Sequence, residues 1–124
     1  MHRLMVRRRF AAAHQVKEAG GGCENLHGHT WKVQFTVEGS QLDDTGMLVD
    51  FRTLKRQVDQ WIDRLDHSNL NETLKGLNPT SEHIAEYLYQ QLGDAWRGQR
   101  YRLVGVTVWE SDDSGAWYGE EERP

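Results

Sequence analysis

The sequence predicts an α+β fold in which an antiparallel sheet carries two helices on one face. Two segments near the start of the chain and two near its end alternate between apolar and polar residues, as strands do. The two segments between them repeat their apolar residues every three or four positions, which is the spacing of an amphipathic helix. The order β-β-α-α-β-β therefore places a strand hairpin on each side of a helix pair.

The first hairpin is predicted from residues 3–14 and 29–38. Successive side chains in a strand point to opposite faces, so each segment has one apolar and one polar parity. The apolar parity comprises Leu4, Val6, Phe10, Ala12 and His14 in the first strand and His29, Trp31, Val33, Phe35 and Val37 in the second. The glycines at 20–22 form a loop between the strands, and LDDTGM (42–47) supplies the turn that ends the second.

The two helices are predicted over residues 51–65 and from about 81 to 92. Asp50 precedes the first helix and is placed to cap its N-terminus. NPTSE marks the start of the second helix, with Asn78 and Thr80 competing for the capping position. The predicted buried stripes comprise Phe51, Leu54, Val58, Trp61, Ile62 and Leu65 in the first helix and Ile84, Tyr87, Leu88 and Leu92 in the second.

The second hairpin is predicted from residues 101–110 and 116–120, on either side of the turn SDDSG. One parity of its first strand comprises Val104, Val106, Val108 and Glu110. Either this face meets solvent at its end, or the carboxylate of Glu110 points into a pocket. No repeat or long linker separates the elements, so a single domain is expected over residues 1–124.

The composition argues against several classes of protein. The formal net charge is −4, which argues against nucleic acid as the main partner, and the basic run at residues 7–9 is interpreted as a solvated strand end. No segment has the apolar length of a signal peptide or a membrane span. A single cysteine forms no intramolecular disulfide, so a reducing, cytoplasmic location is expected. The low apolar fraction of 37% suggests further burial by oligomerisation.

Three histidines are expected to meet at one end of the predicted sheet. His14 ends the first strand and His29 begins the second, both on the apolar parity, and His27 joins them if the second strand begins earlier. In an antiparallel pair the end of one strand lies beside the start of the other, so the imidazoles converge. Three such ligands with an open fourth position are typical of catalytic Zn²⁺ sites, and imidazole favours zinc.

Other polar residues allow more than one interpretation. Cys23 is a fourth zinc ligand, a small buried side chain, or a base whose thiol pKa is lowered by a nearby cation. Asp66 and His67 follow the first helix, where a histidine interacts favourably with the C-terminal end of the helix dipole. Taken alone, that structural role is the simpler interpretation of the pair.

Six short motifs span most of the chain. They are FAAAH (10–14), CENLHGH (23–29), GMLVDF (46–51), LDHSNLN (65–71), NPTSE (78–82) and VWES (108–111). In this order they resemble the 6-pyruvoyltetrahydropterin synthase family, most closely its 6-carboxy-5,6,7,8-tetrahydropterin synthase branch. CENLHGH with FAAAH upstream is the most specific part of the resemblance.

The resemblance implies a T-fold subunit whose sheets join into a trimeric barrel, with two trimers stacked as a homohexamer and active sites at subunit interfaces. It implies Zn²⁺ bound by His14, His27 and His29. The implied proton-transfer groups are Cys23 as the base and Asp66 with His67 as a relay. The implied contacts to the pterin are Glu110, which anchors its amino group and ring nitrogens, and Thr80 with Ser81 at a helix start.

The implied reaction converts 7,8-dihydroneopterin triphosphate to 6-carboxy-5,6,7,8-tetrahydropterin, with release of acetaldehyde and triphosphate, in queuosine biosynthesis. Zinc would acidify a coordinated substrate hydroxyl, as it lowers the pKa of bound water to about 7. One alternative is a pyruvoyl-type synthase that retains the three-carbon side chain. The other is a non-catalytic, zinc-stabilised oligomeric binding module, which would leave the acid and relay residues without a shared purpose.

Three features stand apart from these assignments. A related folate-pathway branch uses a glutamate near the position of Glu24, but with Cys23 present Glu24 is interpreted as incidental. Arg7 and Arg9 are the candidates for binding the triphosphate. The acidic end of the chain, EEERP, contains no motif with an interpretation.

Overall fold

The computed structural model describes residues 1–120, and the last four residues of the acidic end lie outside them. Within this range the strands are β1 (His2–His14), β2 (His27–Gly39), β3 (Ser68–Asn69), β4 (Arg102–Ser111) and β5 (Ser114–Gly119). The helices are α1 (Phe51–Leu65), α2 (Leu70–Thr73) and α3 (Ser81–Ala95). The fold is therefore α+β, as the sequence predicts, with β3 and α2 as additional short elements.

The strands form one mixed sheet in the order β3-β1-β2-β4-β5. All neighbours are antiparallel except β1 and β3, which are parallel. The prediction of a wholly antiparallel sheet is wrong at this edge. The chain leaves α1 through His67, whose φ is 55°, and this left-handed turn brings β3 alongside Ala12 and Ala13. A strand of two residues is too short to produce alternation in the sequence.

One face of the sheet packs with α1 and α3 around a single apolar core. The strand residues in this core include Val6, Phe10, Trp31, Val33, Phe35, Val37, Val106 and Val108, which all lie on the predicted parity. Val104 is an exception, because Leu103 takes its place in the core. Here β4 has a β-bulge, with Val104 as the extra residue between the partners of Thr36 and Val37.

The helices begin where side-chain caps satisfy their first amides. Asp50 caps α1 by accepting a hydrogen bond from the amide of Arg52 at 2.8 Å. Thr80 rather than Asn78 caps α3, through a hydroxyl that accepts from an amide of the first turn at 3.2 Å. The end of α3 lies at Ala95, one turn beyond the predicted end. No helix within residues 1–120 is both long and apolar enough to cross a membrane.

Candidate active site

Three imidazoles meet where β1 ends and β2 begins. Because β2 begins at His27, that residue lies opposite His14, and His29 lies opposite Ala12. The ring centroids are 4.7 Å apart for His14 and His27, 5.1 Å for His14 and His29, and 4.6 Å for His27 and His29. The buried indole of Trp31 contacts His14 and His29 edge-on and closes the site on the core side. Strand parity predicts this convergence.

Backbone carbonyl groups orient two of the three rings. Nδ1 of His14 donates to the carbonyl oxygen of Pro79 at 2.7 Å, and Nδ1 of His27 donates to that of Asn25 at 2.8 Å. A carbonyl oxygen only accepts, so the proton is on Nδ1 and each Nε2 presents a lone pair. Histidines that bind metals are commonly held in this way.

Two nitrogen atoms of the site are buried without a hydrogen-bond partner. They are Nε2 of His14 and Nε2 of His29. Buried polar atoms are nearly always satisfied, so two unsatisfied atoms facing one cluster point to a missing ligand. One potential ligand atom from each of His14, His27, His29 and Glu110 lies within 4.8 Å of the others. A bound cation would satisfy these atoms, so the residues present fit a Zn²⁺ ion.

The electrostatic environment of His29 favours the form that binds metals. Burial lowers the pKa of His29 below its ordinary value, and the neighbouring imidazoles of His14 and His27 lower it further. The carboxylate of Glu110 acts in the opposite direction without reversing the shift. The neutral imidazole is the metal-binding form, so the folded protein keeps this ligand ready for a cation.

Glu110 lies near the end of β4, beside the imidazoles. Its Oε1 is 3.2 Å from Nε2 of His29, and 38% of its side chain is exposed. The pairing of β4 with β5 is irregular between Trp109 and Ser111, where the carboxylate turns toward the histidines. Glu110 can therefore either complete the coordination of a metal or accept hydrogen bonds from a ligand bound over it.

Glu24 also reaches the histidine cluster. Its Oε1 lies 3.7 Å from Nε2 of His27 and 3.9 Å from Nε2 of His14. These are the same nitrogens that would bind a metal, so the structure brings Glu24, which is interpreted as incidental from the sequence, to the edge of the candidate site. The spacing of three residues between Glu24 and His27 is the sequence signal that points to this contact.

Cys23 lies exposed in the loop before β2. Its main chain pairs with that of Lys17, in the segment that continues from β1. The thiol is not part of the cluster formed by the three histidines and Glu110. A closed site with Cys23 as the fourth ligand is therefore not the arrangement seen, and its role as a base stays a prediction.

Asp66 and His67 form a pair at the outer edge of β1. Oδ2 of Asp66 lies 2.8 Å from Nδ1 of His67, and Oδ1 of Asp66 accepts a hydrogen bond from the amide of Ala11 at 2.9 Å. The Ala11 amide, followed by the His67 side chain, lowers the pKa of Asp66. The His67 side chain is 83% exposed, and neither residue belongs to the histidine cluster of the same chain.

Thr80 and Ser81 lie at the start of α3, next to the carbonyl group that orients His14. As the N-cap, the hydroxyl of Thr80 accepts a hydrogen bond from a helix amide, and Ser81 is buried. These positions bring the start of α3 close to the imidazoles. Their predicted contact with a pterin ring stays a prediction, because the observed role of Thr80 is to cap the helix.

Arg7 and Arg9, the candidates for binding a triphosphate, are not brought to the histidines. They lie on the parity of β1 opposite to His14 and line a cleft of about 740 Å³ together with Lys32 and Trp109. Nε of Arg7 donates to a side-chain oxygen of Gln34, its cross-strand neighbour, at 2.8 Å. Within one chain, the sheet itself separates these cations from the cluster.

A mixed sheet backed by two helices, with an imidazole cluster at one end, defines an α+β protein with a candidate metal centre. The profile of the 6-pyruvoyl tetrahydropterin synthase family matches residues 3–121, so the chain belongs to this family. The resemblance drawn from the six motifs is thereby confirmed.

Individual relatives extend this finding. The chain is 36% identical over 113 residues to the dihydroneopterin monophosphate aldolase of Pyrococcus furiosus, covering 91% of this chain and 93% of the relative. It is 38% identical over 91 residues to the 6-carboxy-5,6,7,8-tetrahydropterin synthase of Synechocystis sp., covering 69% and 70%. The fold matches the 6-pyruvoyl tetrahydropterin synthase structure from Caenorhabditis elegans with a TM-score of 0.80, at 25% identity and over 98% of both chains. These relatives are all pterin enzymes by name.

Proposed function

We propose that the protein converts 7,8-dihydroneopterin triphosphate and one water molecule to 6-carboxy-5,6,7,8-tetrahydropterin, acetaldehyde and triphosphate. The observation that carries the proposal is the pair of buried Nε2 atoms of His14 and His29, which have no hydrogen-bond partner and lie beside His27. Family membership supports a pterin substrate, and the similarity to a 6-carboxy-5,6,7,8-tetrahydropterin synthase supports the carboxylated product.

His14, His27 and His29 would hold a zinc ion through their Nε2 atoms. When bound, the ion would supply the positive charge that acidifies a coordinated hydroxyl of the substrate side chain. The carbonyl groups of Pro79 and Asn25 keep two of the rings in the tautomer that presents Nε2. Trp31 packs beneath the rings and excludes water from the core side.

Two groups would move protons in this reaction. The thiol of Cys23 would remove a proton from the substrate side chain, and its exposure leaves it accessible to a bound molecule. Asp66 would orient His67 through the 2.8 Å contact at Nδ1, which leaves Nε2 of the exposed ring free to return a proton. Both roles are carried over from the family resemblance.

The pterin ring would be held at the end of β4. The carboxylate of Glu110 would accept hydrogen bonds from the ring N–H and the amino group, whose spacing matches the two oxygens of a carboxylate. Thr80 and Ser81 are further candidates for contact, since both adjoin the carbonyl group that orients His14.

The catalytic unit would be a homohexamer built from two trimers. The position of the Asp66–His67 pair supports an assembly, because the pair is exposed on the outer edge of β1 and away from the histidines of its own chain. A second subunit could receive this pair over its own cluster. Light scattering should therefore give the mass of a hexamer or at least a trimer, whereas an active monomer would contradict this arrangement.

The product identifies the function. The zinc-loaded protein is incubated with 7,8-dihydroneopterin triphosphate, and the pterin is analysed by mass spectrometry. The proposal expects 6-carboxy-5,6,7,8-tetrahydropterin together with acetaldehyde. A product that retains the three-carbon side chain would instead indicate a pyruvoyl-type synthase. Zinc binding without conversion of this substrate or of 7,8-dihydroneopterin monophosphate would favour the non-catalytic binding module.

A second candidate is an aldolase that cleaves a phosphorylated dihydroneopterin. Glu24 favours it, because its carboxylate faces Nε2 of both His14 and His27 and could act as the base. The similarity to the aldolase of Pyrococcus furiosus over 91% of this chain favours it as well. Aldol cleavage would leave a one-carbon hydroxymethyl group on the pterin, which differs in mass from both synthase products.

A matched pair of variants separates the two bases. Cys23→Ala should abolish the carboxylated product while zinc content and pterin binding persist, and Glu24→Gln should leave that product at close to its wild-type rate. Under the aldolase alternative the order is reversed, with Glu24→Gln eliminating the hydroxymethyl product. Loss of zinc from Cys23→Ala would show that the thiol is a ligand.

A further inference from the structure

We infer that the side-chain amides of Asn71 and Asn78 are positioning groups that hold the loop bearing Cys23 and Glu24 against the histidine cluster. The inference rests on the proposed function, since it concerns the candidate bases of that site. It is carried by an unusual feature of the chain after His14, where two asparagine side chains pair with the main chain as a neighbouring strand would.

The pairing is reciprocal at both positions. The amide of Gln15 donates to Oδ1 of Asn71 at 2.7 Å, and Nδ2 of Asn71 donates to the carbonyl oxygen of Gln15 at 2.8 Å. The amide of Lys17 donates to Oδ1 of Asn78 at 2.8 Å, and Nδ2 of Asn78 donates to the carbonyl oxygen of Lys17 at 2.9 Å. A carboxamide offers one acceptor and a donor in the same plane, so it can replace a peptide group of an adjacent strand.

The opposite edge of the same segment holds the loop. The main chain of Lys17 pairs with that of Cys23, and the amide of Glu24 donates to the carbonyl oxygen of Val16 at 3.0 Å. Residues 15–17, the connecting segment, thus bind the asparagines along one edge and the main chain of Cys23 and Glu24 along the other. Between Lys17 and Cys23 the chain turns through Gly20 and Gly21, whose φ values of 96° and 92° favour glycine.

The connecting segment and a metal ligand of the proposed site are held by neighbouring residues. Asn78 is followed by Pro79, whose carbonyl oxygen accepts from Nδ1 of His14 at 2.7 Å. The carbonyl oxygen of Asn78 accepts from the amide of Thr80 at 2.8 Å as well as from Nδ1 of His83 at 2.7 Å, so it keeps a partner when the His83 ring is removed. Two consecutive residues before α3 therefore fix both the ring of His14 and, through Lys17, the placement of Cys23.

This arrangement assigns a local rather than a global role to the two carboxamides. Asn71 is exposed and Asn78 is only partly buried, and neither contributes to the apolar core. Their loss should loosen residues 15–24 while the remainder of the sheet stays intact, because segments with few apolar contacts open independently of the core. A loosened loop should slow turnover more than it weakens substrate binding.

The test compares Asn78→Ala and Asn71→Ala with wild type, all loaded with zinc. Hydrogen exchange measured by mass spectrometry should show peptides covering residues 15–24 exchanging at least about tenfold faster in each variant, with peptides of β2 and β4 unchanged. The kcat for the pterin product should fall about tenfold or more while KM stays within about twofold and zinc content is unchanged.

The matched control is His83→Ala, which removes a contact to the main chain of Asn78 but none to the connecting segment. Its exchange over residues 15–24 and its kcat should remain within about twofold of wild type. If Asn78→Ala does not fold, Asn78→Asp keeps the size of the side chain and the acceptor for the amide of Lys17, but it replaces the donor with a charged carboxylate oxygen that faces the carbonyl oxygen of Lys17. The same direction of change is expected for it.

Unchanged exchange over residues 15–24 in both asparagine variants would overturn the inference, and so would faster exchange with an unchanged kcat. Equal effects in His83→Ala would reduce the asparagines to a general structural role and would also overturn it. If wild type converts neither candidate substrate, the proposed function fails, while the exchange experiment still decides whether the carboxamides hold the loop.

Discussion

The two ends of the central sheet treat buried polar groups in opposite ways. At the end away from the histidines, the buried carboxylate of Glu38 lies between Arg3, whose Nε is 3.0 Å away, and Arg102. Arg102 in turn contacts Glu120. These charged residues therefore connect β1, β2 and β4 with the residue that follows β5. At the other end, the imidazoles of His14 and His29 are packed together, and each has a buried Nε2 atom without a hydrogen-bond partner.

The difference separates a stabilising cluster from a binding cluster. Buried polar groups that serve only the fold are expected to be satisfied within it, and Glu38 meets that expectation. Groups left unsatisfied persist where a ligand completes them, so the histidine end is organised for a ligand that residues 1–120 do not supply. The largest effects of mutation on function and on stability should therefore arise at opposite ends of the same sheet.

Removing an imidazole should have the largest effect on function. His27→Ala and His29→Ala should each lose the bound zinc and with it the catalytic activity, because two remaining imidazoles do not form a three-ligand site. Elemental analysis of the purified variants measures the loss, and circular dichroism checks that they fold. Full zinc content in both variants would mean that the metal, if any, binds elsewhere.

Removing the buried carboxylate at the opposite end of the sheet should lower the stability of the fold instead. Glu38→Gln leaves Arg3 and Arg102 without their shared carboxylate, and the loss should lower the free energy of unfolding by about 1–3 kcal/mol. Urea denaturation of the variant measures this change. Zinc content and turnover should remain at wild-type levels, because Glu38 lies at the end of the sheet away from the cluster. A loss of zinc in this variant would contradict the separation of the two ends.

Glu110 tests whether the histidine end serves a pterin in particular. Glu110→Gln keeps the shape of the side chain but replaces one acceptor oxygen with a donor, which would face the donors of the ligand. Pterin affinity measured by calorimetry should fall about tenfold, or about 1.4 kcal/mol, while zinc and the oligomer are retained. Unchanged pterin binding would leave Glu110 as a strand-end residue, and loss of zinc would make it a metal ligand.

The pH dependence of stability should distinguish the two ends most finely. Burial lowers the pKa of His29 below its ordinary value of 6.5. Burial raises the pKa of Glu38, but its bonds to Arg3 and Arg102 outweigh this and leave the pKa below its ordinary value of 4.5. In both cases the unfolded chain binds more protons, so stability rises with pH. The contribution of each group is present above its ordinary pKa and is lost as the pH falls through its lowered folded value.

Thermal melts of the metal-free protein between about pH 8 and pH 3 would resolve these windows. The wild type should lose stability in a first stage below pH 6.5 and in a second below pH 4.5. His29→Gln should lack most of the first stage, and Glu38→Gln should lack most of the second. If each variant retains its stage, other groups determine the acid sensitivity of the two ends.

Period and parity account for much of what the sequence could predict. The helix at Phe51–Leu65 has the predicted bounds, and the parity of β1 and β2 places His14 and His29 on one face because every intervening residue of both strands is paired in regular register. Regular spacing in the sequence gives correct predictions only where the backbone is regular. The bulge in β4 therefore takes Val104 out of the apolar cluster that the valine pattern predicts for it, although its side chain stays buried.

Irregular contacts are what the sequence could not predict. The parallel pairing of β3 spans two residues, and the left-handed turn at His67 that creates it leaves no periodic trace. The bonds from Asn71 and Asn78 to the main chain of residues 15–17 depend on loops that only the folded chain brings together. The presence of Cys23 favours the interpretation of Glu24 as incidental, whereas the path of the loop turns Glu24 toward the imidazoles.

X-ray absorption at the zinc edge of the purified, zinc-loaded protein tests the central claim most directly, because it reads the atoms bound to the metal. We predict three imidazole nitrogens at about 2.0–2.1 Å with oxygen in the remaining coordination and no sulfur. A sulfur scatterer at about 2.3 Å would place Cys23 on the metal and make the site a closed, structural one. A spectrum without imidazole scattering would show that the unpartnered histidine nitrogens are not a zinc site.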